Sequence, residues 1–348
     1  MKNTPEKIAV RKKEHLELCS TDEVAFKSKM NGFQRYDFLH NAATEVKLDE
    51  INFQKKFFNK KVNFPFIISC MTGGFDEADN INLQLAEAAS SLNIPLGIGS
   101  QRYALGNNEH YDKLKEIRKK AASIPVLGNI GAAQVAKGIS MKNFKLLIEL
   151  VEADAMVIHL NPLQELIQKE GEPDFTGLIK NVEAIVKEIS IPLIIKEVGA
   201  GISKQVAKIF LDVGVSGIDV AGAGGTSWSG VEQLREKNNK STDFWEWGLP
   251  TSYCIRKIRT LKKNYKFMLV GSGGINTSFD GAKALALGAD YFASARIVFQ
   301  ELNRKGIEGV IKMIEDWFED IKKIMFLTGR QTLEEFDRNI LIKTEELY

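Results

Sequence analysis

The sequence predicts an α/β fold, a (β/α)8 TIM barrel with an N-terminal extension and a long loop after strand six. Two observations predict the barrel. Eight short apolar runs recur along the 348 residues, none longer than eight residues and none with polar alternation. Such runs mark strands buried on both faces of a parallel sheet. Helical patterns separate them, and eight alternations favour a closed barrel over an open doubly wound sheet. A dinucleotide-binding open sheet would need GxGxxG in the first turn, which here reads Met71-Thr72-Gly73-Gly74.

In chain order the expected strands are Phe64–Met71, Ile94–Ser100, Ile124–Ile130, Ala155–Asn161, Ile191–Val198, Val215–Ala221, Phe267–Ser272 and Tyr291–Ala295. Three open on the same Ile-Pro step, at Pro95, Pro125 and Pro192, and proline is tolerated at a strand's first residue. Asn80–Leu92, Leu178–Ile189 and Ile307–Leu327 carry apolar stripes near period 3.6. Residues 1–63 form an extension expected to fold over the barrel mouth, 64–327 the barrel, and 328–348 a C-terminal tail. The connection 226–250 contains Trp228, Trp245 and Trp247. Its length suggests a lid or binding loop, and its tryptophans argue against disorder. Packing on a neighbouring subunit is the alternative.

Composition narrows the class. The chain is 44% hydrophobic and 26% charged, with 47 basic and 45 acidic residues and a net charge of +2. It lacks the clustered basic excess of a nucleic-acid binder, and no apolar stretch approaches a membrane span. Cys19, Cys70 and Cys254 are widely spaced, so a reducing, cytoplasmic setting is expected. Lys2, Lys7, Arg11, Lys12 and Lys13 have no apolar core after them, unlike a secretory signal.

Ligands of such barrels sit at the strands' carboxyl ends. There the sequence gathers Gly99-Ser100-Gln101-Arg102, Gly128-Asn129, Lys196-Glu197 and Ser294-Ala295-Arg296. The densest end is His159-Leu160-Asn161-Pro162-Leu163-Gln164-Glu165. His159 and Asn161 share a face on an extended backbone, and Glu165 suits a hard cation. The bland alternative is a polar strand end capping the next helix. Gly222–Gly225 and Gly271–Gly274 close strands six and seven, where barrels commonly bind phosphate through backbone N–H groups. Lys196 follows two isoleucines and needs an anionic partner if buried. That partner is either a reduced flavin's N1 edge or a carboxylate such as Glu197 or Asp219.

These residues carry a resemblance that spans essentially the whole chain. Arg11-Lys12-Lys13-Glu14-His15, Met71–Gly74, Gly99–Arg102, Gly128-Asn129, His159–Glu165, Lys196–Gly199, Ala223–Trp228 and Gly273-Gly274-Ile275 resemble type 2, flavin-dependent isopentenyl-diphosphate isomerases. The combination of the N-terminal RKxEH with HLNPLQE separates this family from other flavin barrels. The resemblance implies FMN, Mg2+, NADPH as flavin reductant and a cytosolic homo-oligomer, tetramer or octamer. It implies FMN contacts at Cys70, Met71, Thr72, Ser100, Asn129, Lys196 and Thr226, with Gly273, Gly274, Ser294 and Ala295 at the phosphate. It implies substrate contacts at Arg11, Lys12, His15, Arg102, His159, Asn161 and Gln164, with Gln164, His159 and Lys196 serving catalysis and Glu165 the metal. Family members commonly have alanine where this chain has Cys70.

The rival is a flavin oxidoreductase on the same barrel. The four histidines, His15, His40, His110 and His159, all precede the C-terminal half, where hydroxy-acid oxidases place their base. A nucleotide dehydrogenase needs a cysteine after strand six, and Gly222–Trp228 has none. A non-catalytic flavin or phosphate binder would keep the glycine turns without needing Glu165, Gln164, Arg102 and the N-terminal basic pair together.

Overall fold

The computed structural model describes residues 5–106, 108–236 and 243–348, the side chains of residues 5–9 excepted. Part of the expected connection 226–250, residues 237–242, therefore lies outside the described residues. Eight parallel strands close into a barrel. They are β1 (Phe66–Ile68), β2 (Leu96–Gly97), β3 (Val126–Gly131), β4 (Ala155–Leu160), β5 (Leu193–Glu197), β6 (Gly217–Asp219), β7 (Met268–Ser272) and β8 (Tyr291–Ser294). β8 closes the ring on β1, with Phe292 opposite Phe66 and Ser294 opposite Ile68.

All eight expected strands are present, each shorter than its apolar run. The Ile-Pro steps explain three starts. Pro95, Pro125 and Pro192 sit one residue before β2, β3 and β5. Each lacks an N–H, yet its carbonyl accepts from the neighbouring strand: Ile68 N–H at 3.1 Å, Leu96 at 2.9 Å and Met156 at 2.9 Å. Proline at this place keeps the ladder's acceptor and gives up only a donor. The helices Asp76–Leu92, Leu178–Glu188 and Arg296–Leu327 carry the expected stripes. The last is longer than its stripe suggested and is interrupted at Gly306 (φ 68°, ψ −164°), where the Ile307 periodicity begins. No helix among the described residues is long and apolar enough to cross a membrane.

The extension is not one unit over the mouth. Its hairpin Lys55–Phe57/Lys60–Val62 plugs the opposite, N-terminal end of the barrel. Phe57 and Val62 join the barrel interior with Ile67, Leu127, Val157, Ile194 and Val270. Phe57 meets the ring of Tyr291, the first residue of β8, edge-on at 5.2 Å. Lys60 pairs at 2.8 Å with Asp154, just before β4. The C-terminal residues are likewise no free tail, since Leu341–Lys343 pairs antiparallel with Tyr36–Phe38. With one end plugged, ligands have access only from the carboxyl ends of the strands.

Phe57→Ala should lower unfolding stability by about 3–5 kcal/mol, the usual cost of emptying a buried aromatic site. Flavin affinity should stay near wild type, because the plug and the mouth are at opposite ends. Denaturant titration beside flavin fluorescence checks both.

Candidate active site

Close backbone approach shapes the mouth. A Cβ at Gly99 would lie 1.7 Å from the Thr72 carbonyl oxygen, so only glycine lets β2 end against the Met71–Gly74 loop. Asn82, on the helix after β1, donates to Thr72 O at 2.9 Å and fixes that loop. Across the barrel, Gly131, His159, Lys196 and Asp219 occupy one register layer.

Lys196 is 8% exposed. Its Nζ donates to Glu197 O at 2.9 Å and lies 3.6 Å from Asp219 Oδ2. The carboxylate alternative read from the sequence is therefore present. Asp219 is shared, since its Oδ1 accepts from Ser272 Oγ at 2.5 Å. Cys70 is nearby, but burial pushes its thiol up to about 11 against the pull of Lys196, so it stays protonated. Burial, then Lys196 and Lys12, pushes His159 down to about 4. Neutral His159 holds Nδ1 at 2.7 Å from Asn129 Oδ1. With the amide oxygen as acceptor, the proton sits on Nδ1. Asn129 is set in turn by Gln101, a fully buried amide within Gly99–Arg102 to which the sequence reading gave no role. Gln101 Oε1 accepts from Asn129 N–H at 2.9 Å and its Nε2 donates to Leu147 O at 2.9 Å.

Beyond β4, Pro162 opens the short helix Pro162–Ile167. Asn161 donates to Glu165 Oε1 at 2.9 Å and to Gln164 Oε1 at 3.3 Å. Glu165 Oε2 accepts from Glu172 N–H at 2.8 Å. Gln164 Nε2 donates to Glu232 Oε1 at 3.3 Å. Glu232 escaped the sequence reading. It has no solvent exposure and lies 2.9 Å from His15 Nε2, while Arg235 Nη1 binds its other oxygen. Burial works to raise its carboxyl, but His15, Arg235 and Gln164 hold it below the usual carboxylate range. Its helix, Trp228–Arg235, lies inside the supposed loop and is capped by Ser227 Oγ accepting from Gly230 N–H. That serine cap and the Glu232/Arg235 spacing were the readable signal.

The N-terminal helix Pro5–Cys19 brings three expected residues to this wall. Lys12 Nζ donates to Gly73 O and stands 5.2 Å from the Tyr103 ring centroid. His15 meets Trp228 edge-on at 5.2 Å. Arg11 Nη1 lies 2.8 Å from the Gln168 amide, oriented to accept, and that amide's nitrogen reaches Glu232 at 3.2 Å. Among the described residues Arg11 Nε is buried without a partner. Burial lowers Arg11 against the pull of Glu232 and Glu165. Arg102 Nη2 stands 3.8 Å from Glu172. Residues 24–26 pair with the loop after β6, where Ala25 bridges to Thr226 and Ser227 N–H donates to Val24 O at 2.8 Å.

On the far side, Gly273 (φ 99°) and Gly274 (φ 69°) turn backbone inward. The helix from Arg296 has no side-chain cap. Among the described residues Arg296 Nη1 is buried without a hydrogen-bond partner, 3.6 Å from Asp22. Uncapped N–H groups, a glycine turn and an unsatisfied guanidinium fit a phosphate. The Ser294 hydroxyl is already engaged, donating to Ile275 O at 2.8 Å. Half-buried Ser100 caps the turn Gln101–Leu105 without a side-chain bond. Four backbone N–H groups, of residues 198–201, converge on Glu197 Oε2 and stiffen the loop beside Trp228. Burial pushes that carboxyl up to about 7 while those bonds pull the other way. Among the described residues no group of three or more His, Cys, Asp or Glu is placed to hold a metal. Glu165 stands as a single carboxylate, which suits a cation completed by substrate phosphates and water.

Residues 117–343 match the family model of FMN-dependent dehydrogenases. The chain is 42% identical over 345 residues to an isopentenyl-diphosphate delta-isomerase of Chlorobium limicola, covering 95% of each. It is 38% identical to one of Pyrococcus furiosus, covering 96% of this chain and 86% of that protein. Among solved structures, a flavocytochrome b2 mutant with pyruvate bound superposes with TM-score 0.69 at 18% identity, covering 94% of this chain and 82% of that one. A mandelate oxidase mutant gives 0.66 at 18%, covering 94% and 95%. Identity that low speaks for the barrel alone and leaves the oxidoreductase reading less supported. The barrel binds FMN, and with this identity along nearly its whole length the chain belongs to the isopentenyl-diphosphate delta-isomerase family, as an isomerase on the FMN-binding barrel.

Proposed function

We propose that this chain interconverts isopentenyl diphosphate and dimethylallyl diphosphate, with FMN held reduced by NADPH, Mg2+ at Glu165, and a cytoplasmic homo-oligomer as the working form. One observation carries the reading beyond family membership. The helix bearing Arg11, Lys12 and His15 is fastened to the mouth, through Lys12 to Gly73 and His15 to Glu232. It sets three cations, counting Arg102, beside the Asn161–Glu165 cluster. A diphosphate needs such charge, and a hydroxy acid does not.

Each side chain then has a physical task. Arg11, Lys12 and Arg102 bind the diphosphate, and Glu165, aimed by Asn161, holds a cation against the same oxygens. Neutral His159, its proton on Nδ1 toward Asn129, presents Nε2 as an acceptor without adding charge. Gln164, fixed by Asn161 and Glu232, orients the five-carbon chain or relays a proton, since an amide is a poor base. Gly273, Gly274, Ser294, Ala295 and Arg296 hold the FMN phosphate, while Cys70, Met71, Thr72, Ser100, Asn129 and Thr226 surround its ring. Reduced FMN, when bound, supplies an electron-rich acid–base surface for moving the double bond. Lys196 would stabilise negative charge on the reduced ring. No net oxidation occurs, so the reductant primes the site and is not consumed in each turnover.

Protein incubated anaerobically with reduced FMN, Mg2+ and isopentenyl diphosphate should yield the dimethylallyl isomer in excess of NADPH oxidised. One NADPH per product would point to an oxidoreductase. Glu165→Gln should keep FMN and lose diphosphate and Mg2+ affinity by about 2–5 kcal/mol, as for one partner of a desolvated charge contact. An unchanged Mg2+ dependence would remove Glu165 from the metal. Lys196→Ala should lower turnover by roughly two to three orders of magnitude and make the flavin harder to reduce. A midpoint potential equal to wild type would leave Lys196 as the ion-pair partner of Asp219 alone.

A further inference from the structure

We propose that Tyr103, clamped by the His110–Asp79 pair, is a positioning residue that holds the Lys12 ammonium over the mouth for the substrate diphosphate. The inference rests on the reading of Lys12 as a diphosphate ligand. Four observations converge on it.

Lys12 has no carboxylate within ion-pair distance among the described residues. Its polar contact is Gly73 O, and its other contact is the Tyr103 ring at 5.2 Å. The backbone makes room for this meeting. Gly74 has φ 92°, and a Cβ there would lie 2.6 Å from the Tyr103 ring and 3.0 Å from Lys12 Nζ. The ring is braced from another side by His110, edge-on at 4.8 Å and 79°. His110 Nδ1 is 3.0 Å from Asp79 Oδ2, and Asp79 is 1% exposed in the first turn of the helix after β1. A buried carboxylate must be paired, so Asp79 fixes the imidazole, and the imidazole fixes the phenol ring.

The ring meets an electrostatic need. The groups facing Lys12 are Arg11 on its own helix, Arg102 and Tyr103 in the turn after β2, His110 beyond that turn, Asp79 on the helix after β1, and His159 at the end of β4. Burial first, then Arg11 and Arg102, pushes Lys12 down to about 8, with Asp79 opposing. A π face stabilises the ammonium without supplying a carboxylate that would repel the diphosphate. Taking the ring away disfavours the charged form. The basic limb of kcat/KM, where Lys12 loses its proton, then moves to lower pH.

The test uses FMN-loaded enzyme and the variants Tyr103→Leu, Tyr103→Phe and His110→Ala. Tyr103→Leu should raise KM for isopentenyl diphosphate about ten- to thirtyfold, the size of a desolvated cation–π contact. It should change kcat less and move the basic limb to lower pH, with FMN affinity unchanged. Tyr103→Phe keeps the ring and should stay within about twofold of wild type in KM. Titration with inorganic pyrophosphate in a calorimeter should show the same order of affinities without turnover. In a Lys12→Ala background, Tyr103→Leu should cost nothing further. A wild-type basic limb and pyrophosphate affinity in Tyr103→Leu, failed rescue by Tyr103→Phe, or a full second loss beside Lys12→Ala would each overturn the proposal. If Tyr103→Leu does not fold, His110→Ala decides, because it keeps the ring and removes its brace. Pyrophosphate affinity at the wild-type level in that variant overturns the clamp. Wild-type enzyme that makes no dimethylallyl product sinks the isomerase reading, and the pyrophosphate titrations still judge Tyr103.

Discussion

The upper half of the molecule depends on one buried carboxylate. Glu232 has no access to water, so its charge must be met by partners inside the protein. It meets His15 from the N-terminal helix, Gln164 from the turn after β4, and Arg235 from its own helix. Three segments remote in sequence are thus tied to one point. Arg235 extends the tie to Glu14 at 2.8 Å. Without that anchor the cationic helix would rest on Leu16, the Lys12 contacts with Gly73 and Tyr103, the His15–Trp228 contact and the Arg11–Gln168 bond, set against the entropy of ordering fifteen residues.

The barrel was legible because buried parallel strands leave an unambiguous mark. Every apolar run became a strand, and the runs opening on Ile-Pro steps placed three starts to within two residues. The runs overstated strand length because the apolar pattern continues into residues buried beneath loops. Val215 and Val220 are buried, yet β6 is only Gly217–Asp219. The helix after β1 begins at Asp76, not Asn80, since its first turn is Asp76, Glu77, Ala78 and Asp79. Acidic residues at a helix start are favoured by the backbone dipole, but they carry no apolar stripe.

At the site, the residues at strand ends and within the motifs of the resembled family were readable, while isolated polar residues on helices and turns were not. His159, Lys196 and Asn129 stand out because polar groups interrupt apolar strands. Glu232, Asp79 and Gln101 sit in helices or turns where a polar residue ordinarily faces water. Their partners lie at separations such as 68 residues for Gln164–Glu232 and 31 for Asp79–His110, beyond the reach of local spacing. The hairpin at 55–62 was hidden for a different reason. Each of its strands is two consecutive lysines and a single apolar residue, Phe57 or Val62, too little apolar pattern to mark a buried strand, and only the barrel it enters makes a plug of it.

The three cations at the mouth are not equivalent. Arg11 is met by Glu232 and Glu165, and Arg102 by Glu172. Lys12 has a carbonyl and a ring face. Two of the three positive charges are thus partly neutralised before any anion arrives. A guanidinium keeps its charge under such burial, while an ammonium is sensitive to it. The geometry places the sensitive cation where compensation is least and the permanently charged ones where carboxylates already stand. An arriving anion therefore meets its largest uncompensated positive charge at Lys12, and the arginines, in the field of nearby acids, add directional bonds. His159, uncharged between Lys12 and Lys196, keeps the mouth from accumulating a further like charge that would drive Lys12 to its neutral form.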